Sequence, residues 1–289
     1  MLVPDEVRKC VVFILYKSTK GIRLAGTGFF ISVPSSIPER IHAYLVTAKH
    51  VIKKIEETSI DNKVYIRINQ RDNKPSKLIY FDLTGWKYHP SEPTVDVAVL
   101  PWAPDFSVYD FRAVPSEMAV TQEVITKEGI GCGDEVFLTG LFGSHYGKQR
   151  NLPIIRIGNI ASMPEEKVVT KAMGEIEAYL IEARSIGGLS GSPVFVHISG
   201  LRKGALRLGG EPIYWLGMVH GHYDLPELDS LDAMSEGNLV NLIINMGVAI
   251  VVPSTKILEV LNQRELSEAR DKADEISRQK REPPTPDSI

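Results

Sequence analysis

Apolar residues in this chain occur in short runs rich in Val, Ile, Phe and Tyr, and Gly, Pro, Asn, Asp and Ser residues separate the runs. Runs of this size between turn-forming residues are typical of β-strands. The pattern predicts a first set of strands near residues 9–16, 25–33, 41–47, 63–69, 77–83 and 95–100. It predicts a second set near residues 119–126, 134–140, 152–161, 177–184, 192–198, 213–220 and 247–252. Many short strands with turn signals indicate a β-sandwich or β-barrel rather than βαβ units.

Residues 101–118 separate the two sets of predicted strands. This connection contains Pro101, Pro104 and Pro115 and has no apolar period, so we interpret it as a link between two β-modules. The resulting division is an N-terminal extension at 1–8, a first β-module at 9–110 and a second β-module at 111–253.

Helical patterns are confined to two places. Residues 48–57 follow a predicted strand and are predicted to form a short helix. We expect a C-terminal helix over 254–281, capped by Ser254 or Thr255, and its second half is almost wholly charged. A helix so polar is expected to project into solvent, to fray or to dock on a partner. The proline-rich tail at 282–289 is expected to be disordered.

Composition narrows the function classes without choosing one. The 289 residues carry a formal net charge of −3 at pH 7, so a nucleic-acid partner is not expected. The N-terminus lacks the pattern of a signal peptide, and the apolar run 11–16 is too short to cross a bilayer. Two cysteines, Cys10 and Cys132, are too few for a disulfide scaffold. A single disulfide between them is one alternative, but we expect both to be small, buried, unpaired side chains. We predict a cytoplasmic protein with reduced thiols, no cofactor and no membrane partner.

The stretch Ser185–Phe195 has the composition of a turn that presents a nucleophile. It reads Ser-Ile-Gly-Gly-Leu-Ser-Gly-Ser-Pro-Val-Phe, with Ser190 in a glycine-rich loop before an apolar strand. Glycines allow a tight turn and leave backbone N–H groups accessible to a ligand. The N–H groups of Gly188 and Ser190 are therefore candidates for an oxyanion hole in acyl transfer. A simple Gly/Ser loop is the alternative, because a serine is inert without a base and an orienting acid.

Two further stretches supply a base and an acid. His50 follows an apolar strand at the start of a helical turn, and Asp96 is the single acid in the apolar run 95–100. A buried carboxylate needs a hydrogen-bonded partner, and a histidine ring nitrogen is a suitable one. The order His, Asp, Ser is one of the known orders of a catalytic triad. His89 is the competing base, but it lacks the strand-then-helix context of His50.

On these motifs the sequence resembles the trypsin/chymotrypsin-fold serine peptidases, in particular the bacterial, disulfide-poor branch that includes the HtrA/Deg proteases. The similar segments are 26–31, 45–51, 95–100, 188–195, 216–221 and 247–254. The resemblance implies an all-β fold of two six-stranded antiparallel β-barrels with the active site between them, followed here by the predicted C-terminal α-helix. It also implies that His50, Asp96 and Ser190 form the triad and that Gly188 and Ser190 donate to the oxyanion.

Two positions depart from the family pattern. Lys49 stands before the histidine, where a small residue is usual, and Leu189 stands before the serine, where Asp or Asn is usual. In the trypsin-like zymogens that Asp pairs with a newly cut N-terminus. Leu189 cannot form this pair, so activation by that route is not expected. Because the chain ends soon after residue 262, we also expect no control through an appended peptide-binding domain.

The resemblance further implies that the strand 216–222 forms one wall of the substrate cleft. It places Arg184 near the floor of the substrate pocket, and His220, Gly221 and His222 of that strand at its rim. The substrate is expected to pair with this strand through main-chain hydrogen bonds. A cation on the pocket floor would favour an acidic residue on the acyl side of the scissile bond, unless a nearby acid neutralises it. His220 and His222 have a spacing suited to metal ligation, but a third ligand is not evident, and we predict no metal site.

The sequence therefore predicts a serine endopeptidase that acts on a protein or peptide substrate. The alternative is a catalytically silent trypsin-like fold that binds peptides or docks a regulatory protein through its C-terminal helix. A non-peptidase serine hydrolase is disfavoured, because Ser190 precedes Gly-Ser-Pro and a strand rather than lying in a Gly-x-Ser-x-Gly turn before a helix.

Overall fold

The computed structural model describes residues 2–170, 172–183, 188–198, 201–202, 205–206, 212–224 and 245–279. Its strands in the first half are β1 (Val11–Ser18), β2 (Gly21–Pro34), β3 (Ile41–Thr47), β4 (Lys63–Ile68), β5 (Lys77–Asp82), β6 (Ala98–Pro101) and β7 (Val114–Pro115). Those in the second half are β8 (Glu135–Gly140), β9 (Ile154–Ser162), β10 (Val168–Thr170), β11 (Gly174–Ile176), β12 (Tyr179–Glu182), β13 (Pro193–His197), β14 (Leu201–Arg202), β15 (Ala205–Leu206), β16 (Ile213–Asp224) and β17 (Asn245–Pro253). The helices are α1 (Asp5–Lys9), α2 (Lys49–Thr58), α3 (Gln122–Glu128), α4 (Ser254–Leu261) and α5 (Arg264–Gln279).

The second module is a closed antiparallel barrel. Its strands follow one another in the order β12-β17-β16-β13-β8-β9, and β9 returns to β12. Buried aliphatic side chains fill the interior, among them Val136, Val194 and Val251. This half of the predicted all-β fold is confirmed.

The first module is a six-stranded half-barrel, as the trypsin-like fold predicts. Its antiparallel strands run in the order β5-β4-β1-β2-β3-β6, with the short β7 parallel to β2. The segment that follows β5 reaches the outer edge of β6, where Lys87 and Val99 exchange two backbone hydrogen bonds of 2.7 and 2.8 Å.

The two modules share buried residues where they meet. Phe29 of β2 and Trp215 of β16 are both fully buried, and their rings form an edge-to-face contact with centroids 5.8 Å apart. The largest apolar cluster contains residues of both modules, including Phe137 and Met218 from the barrel. Packing between the modules therefore fixes the position of loops at their boundary.

Residues 119–126, predicted as a strand, instead contain the start of α3. The Thr121 side chain accepts a hydrogen bond from the Val124 N–H, and Gly129 ends the helix in the left-handed region at φ 69°. A threonine cap and a terminal glycine are helix signals that outweigh the β-propensity of the apolar residues between them. In the first module, α2 lies where the sequence predicts a short helix.

The C-terminal helix divides into α4, which contacts β16, β17 and β6, and α5, which lies against the first module. Leu266 and Asp274 are buried, and the Asp274 carboxylate accepts hydrogen bonds from the Ser36 N–H at 2.9 Å and lies 2.9 Å from His42 Nε2. The expectation that this charged helix projects into solvent is therefore wrong, because one buried acid satisfies polar groups of the β2–β3 loop. Ser254 does not cap α4, since its hydroxyl donates to the Val120 carbonyl. The tail at 282–289 lies outside the described residues.

Both cysteines are free, and the expectation that both are buried holds only for Cys10, because Cys132 is exposed. Burial strongly raises the pKa of the Cys10 thiol above its usual range. No helix in the described part of the chain combines the length and apolar character needed to cross a membrane.

Candidate active site

His50 lies in the first turn of α2, directly after β3. The helix begins at Lys49 because Ala48 is still extended, with φ −71° and ψ 136°. Val51, Ile52 and Ile55 are buried on one face of the helix. These apolar contacts hold the first turn in place, so the imidazole leaves a fixed backbone position with its side chain 25% exposed.

Asp96 is fully buried and accepts hydrogen bonds on both carboxylate oxygens. Its Oδ1 accepts from the backbone N–H of His50 at 2.8 Å, and its Oδ2 lies 2.7 Å from His50 Nδ1. Burial alone would raise the pKa of Asp96, but hydrogen bonds from His220 and His50 outweigh it and lower the pKa to about 2. The carboxylate is therefore ionised at neutral pH and acts only as an acceptor.

A second imidazole reaches the same oxygen. His220 Nδ1 lies 2.5 Å from Asp96 Oδ2, and the His220 ring packs edge-to-face on the His50 ring with centroids 5.1 Å apart. Because ionised Asp96 can only accept, both Nδ1 atoms must carry the protons. The structure thus places His220, with its side chain 6% exposed, against the Asp96 carboxylate.

Thr27 of β2 fastens the Ser190 loop to the first module. Its backbone N–H donates to the Ser190 carbonyl at 2.9 Å. Its buried hydroxyl donates to the Gly188 carbonyl at 2.9 Å and accepts from the Leu141 N–H at 2.9 Å. Thr27 therefore binds two carbonyls of the Ser190 loop and the backbone N–H of Leu141 at the end of β8. The sequence of the segment 26–31 does not reveal this role.

The loop needs glycine at both ends of its turn. Gly188 has φ 101° and Gly191 has φ 86°, a region that other residues rarely adopt. A Cβ on Gly191 would also lie 2.0 Å from the Thr27 carbonyl oxygen, so any side chain there would displace the loop. Leu189 between them is buried in the barrel core, at 1% exposure.

The loop lies close to the histidine pair. A Cβ built on Gly26 would meet the Ser190 carbonyl oxygen at 2.9 Å and the Val51 side chain at 3.0 Å, so Ser190 and the residue after His50 flank one glycine. On the other side, the Gly191 N–H donates to the Val219 carbonyl, next to His220, at 2.8 Å. The fold thereby brings the three predicted triad residues to one place.

Two features of the loop concern its chemistry. Among the described residues, no acceptor takes the N–H groups of Gly188 and Ser190, so both are available to a ligand. The described contacts likewise include no hydrogen bond between the Ser190 hydroxyl and His50. Such bonds are often long in ligand-free enzymes and shorten when substrate binds.

The remaining predicted pocket residues have different outcomes. A Cβ built on Gly221 would meet no atom of the described residues within 4 Å. His222 follows it on the same strand and is partly exposed. Arg184 lies outside the described residues, and its predicted place on the pocket floor stays a prediction.

His89, the competing base, lies elsewhere. Its Nε2 lies 3.0 Å from the Glu259 carboxylate of α4, and its Nδ1 accepts the backbone N–H of Glu92 at 2.9 Å. Both ring nitrogens are therefore occupied by local partners, and none of them belongs to the Ser190 loop.

Two groups of side chains come close enough to hold a metal ion in the described part of the chain. One is His50, Asp96 and His220, and the other is His89, Glu92 and Glu259. Hydrogen bonds account for both arrangements: each ring shares a proton with a carboxylate at hydrogen-bond distance. Neither arrangement requires an ion.

Comparison with solved structures identifies the fold. The chain aligns with the MamO protease domain from Magnetospirillum magneticum (apo form) with a TM-score of 0.51 at 12% identity, over 88% of this chain and 96% of that one. The chain has the fold of HtrA/Deg-type, trypsin-like serine protease domains. The HtrA-type protease AlgW, solved with a decapeptide, also aligns with a TM-score of 0.51 at 12% identity, over 91% of this chain and 66% of that one. No protein-family model and no curated protein matches the sequence.

Proposed function

We propose that this protein is a serine endopeptidase that hydrolyses peptide bonds through an acyl-enzyme. The observation that carries the proposal is the pairing of His50 with the buried, ionised Asp96 beside the Ser190 loop. This pairing fixes the proton on Nδ1 of His50 and leaves Nε2 as a base, which is the state that triad chemistry requires. The trypsin-like fold supports the proposal by analogy only.

In the acylation step Ser190 Oγ attacks the carbonyl carbon of the scissile peptide while its proton passes to His50 Nε2. The imidazolium that forms keeps its Nδ1–H bond to Asp96, whose charge stabilises it. The carbonyl oxygen becomes an oxyanion, and the free N–H groups of Gly188 and Ser190 are the donors for it. Each such donor is worth about 10²–10³ in rate.

Collapse of the tetrahedral intermediate breaks the C–N bond, and His50 gives the proton to the leaving amine. An ester joins the acyl group to Ser190. In the second half, water attacks the ester carbon and transfers a proton to His50, which returns it to Ser190 Oγ when the acid product leaves. Protons and bonds balance without a cofactor.

Among the described residues, the space beside Gly221 of β16 is free, which supports binding of the substrate as an added strand. The preference for an acidic residue on the acyl side, which we derived from Arg184, remains part of the proposal and not of the observed geometry.

A catalytically silent, peptide-binding fold is the second candidate. One observation favours it: the described contacts include no hydrogen bond between Ser190 and His50. Docking of a partner through the C-terminal helix is less favoured, because α5 already buries Leu266 and Asp274 against the first module.

Cleavage of a quenched fluorescent peptide library separates the two candidates. We expect the wild type to release new amine termini and the Ser190→Ala variant to release none. Acid quenching during turnover should trap an acyl adduct on the peptide that contains Ser190. Saturable peptide binding by the wild type, with no product and no adduct, would instead favour the silent fold.

A further inference from the structure

A groove on the first module lies between the β1–β2 hairpin, the β4–β5 hairpin and the segment after β8. Its volume is about 640 Å³, within the range of small-ligand and peptide sites. Apolar and cationic side chains share its lining: Leu15, Leu24, Leu78, Arg23, Arg67 and Lys148.

Leu141 connects the groove wall to Gly188, one of the two candidate oxyanion donors. Leu141 packs with Leu15 and Leu24 in a small apolar cluster. The same side chain would lie 3.4 Å from a Cβ built on Gly188, and the Leu141 N–H donates to the Thr27 hydroxyl that binds the Gly188 carbonyl. The buried Leu141 side chain therefore packs both against the groove wall and close to Gly188 of the Ser190 loop.

The cations of the groove lack acidic partners among the described residues. Arg67 uses its guanidinium on neutral oxygens: Ser76 Oγ at 2.7 Å, the Lys148 carbonyl at 3.0 Å and the Tyr146 carbonyl at 3.4 Å. Burial lowers the pKa of Arg67, because no carboxylate compensates the loss of solvent. Arg23 and Lys148 are exposed and form no ion pair with a described carboxylate.

The groove therefore combines apolar side chains with three cations that have no described carboxylate partner. Carboxylates complement them, since Arg and Lys bind carboxylates through charge-assisted hydrogen bonds. Leu15, Leu24 and Leu78 provide apolar contacts that inorganic anions or nucleic acid phosphates do not use.

We propose that this groove binds an acidic segment of the polypeptide substrate, with apolar residues between the acidic ones. The proposal rests on the proposed protease function and adds a substrate class to it. It differs from the preference derived from Arg184, because other side chains, Arg23, Arg67 and Lys148, provide the positive charge.

Binding is measured by fluorescence anisotropy in the Ser190→Ala background, so that no peptide is consumed. The probes are a labelled peptide of alternating Glu and Leu and its Gln-for-Glu counterpart. We expect the acidic peptide to bind at least about tenfold more tightly, and the difference to shrink as salt screens the charges.

The double variant Arg23→Glu/Lys148→Glu should abolish this difference and leave the Gln peptide within about twofold. Its matched control is Lys54→Glu/Lys272→Glu, which makes the same charge change at exposed residues away from the groove. Thermal unfolding verifies that both variants fold. An equal loss in the control, or equal binding of the two peptides, would overturn the proposal. The proposal would also be overturned if the protein bound both peptides equally and an oligonucleotide displaced them.

The two proposals fail separately. If the wild type discriminates between the peptides in binding but cleaves neither, the groove stands and the protease function fails. If it cleaves both with the same kcat/KM and the groove variant does not change the ratio, the protease function stands and the groove fails.

Discussion

His50 and His89 each lie beside a carboxylate, and the surroundings of the two pairs differ. The carboxylate beside His50 belongs to Asp96, which is fully buried, whereas the carboxylate beside His89 belongs to Glu259, whose side chain is 43% exposed. A charge pair in water contributes little, since solvent and salt screen it. A buried carboxylate bonded to two rings cannot exchange those partners for water, so its position and ionisation are fixed.

The ring nitrogens differ as well. His89 donates from Nε2 to Glu259 and accepts a backbone N–H on Nδ1, so both nitrogens are in use. His50 donates from Nδ1 to Asp96, and its Nε2 has no partner among the described residues. Only the ring with a free nitrogen can accept a proton from a nucleophile, so a base is distinguished by what its second nitrogen does and not by having an acidic neighbour.

Replacing each histidine gives the largest contrast. His50→Ala should lower kcat/KM by about 10⁵–10⁶-fold, because no other group takes the Ser190 proton. His89→Ala should keep it within about twofold. Both are measured with one fluorogenic peptide at pH 8, and equal losses would remove the distinction between the two sites.

Replacing the carboxylate beside each histidine gives the next largest contrast. Asp96→Asn should lower kcat by about 10⁴-fold, because an amide no longer fixes the His50 tautomer. Glu259→Gln is the matched control and should leave kcat unchanged. A loss below tenfold in Asp96→Asn would mean that the buried carboxylate serves the fold alone.

Asp96 also affects stability in a defined pH range. Its pKa is about 2 in the folded protein against about 3.9 unfolded, so the carboxylate stabilises the fold above about pH 4. That contribution, about 2 kcal/mol, is lost as the pH falls from 4 to 2. Chemical unfolding at several pH values should therefore show the wild-type advantage over Asp96→Asn shrinking across this range.

Removal of the His220 ring from Asp96 should lower kcat/KM less than loss of the Asp96 carboxylate. His220→Ala removes one donor, which leaves more negative charge for the His50 imidazolium and loosens the carboxylate. We expect kcat/KM to fall about 10- to 100-fold and its acidic limb to move to higher pH. His220→Asn, whose amide can donate from a similar position, should restore both. An unchanged pH profile in His220→Ala would assign the ring to packing only.

Substitution of Thr27 tests whether its hydrogen bonds hold the Ser190 loop in place. Thr27→Val leaves the Gly188 carbonyl and the Leu141 N–H without their partner, at a cost of about 1–3 kcal/mol in stability. We expect kcat to fall about tenfold. Thr27→Ser keeps the hydroxyl and should restore kcat, and urea titration separates the stability change from the rate change.

Local patterns predict most of the strands and the three site segments. The apolar strand before His50, the lone acid at Asp96 and the glycine loop at Ser190 are each visible over a few residues. Their convergence follows from the resemblance to a known family, and the structure brings His50 and Asp96 into contact.

Features that depend on tertiary contacts were missed. The side on which the His220 ring lies depends on a β-bulge between Val219 and Gly221, which sequence alternation does not show. The contact between β6 and the segment after β5 depends on a backbone pairing between Lys87 and Val99. The docking of α5 depends on Asp274 meeting loop donors more than 200 residues away in sequence. In each case a long-range contact overrides a local preference.

The central claim is that Ser190 is a nucleophile activated by His50. Labelling with a fluorophosphonate probe, followed by peptide mapping, tests it most directly. The account predicts a single adduct on Ser190 in the wild type, none in Ser190→Ala, strongly slowed labelling in His50→Ala and normal labelling in His89→Ala. An adduct that persists in Ser190→Ala, or equal labelling of the two histidine variants, would contradict it.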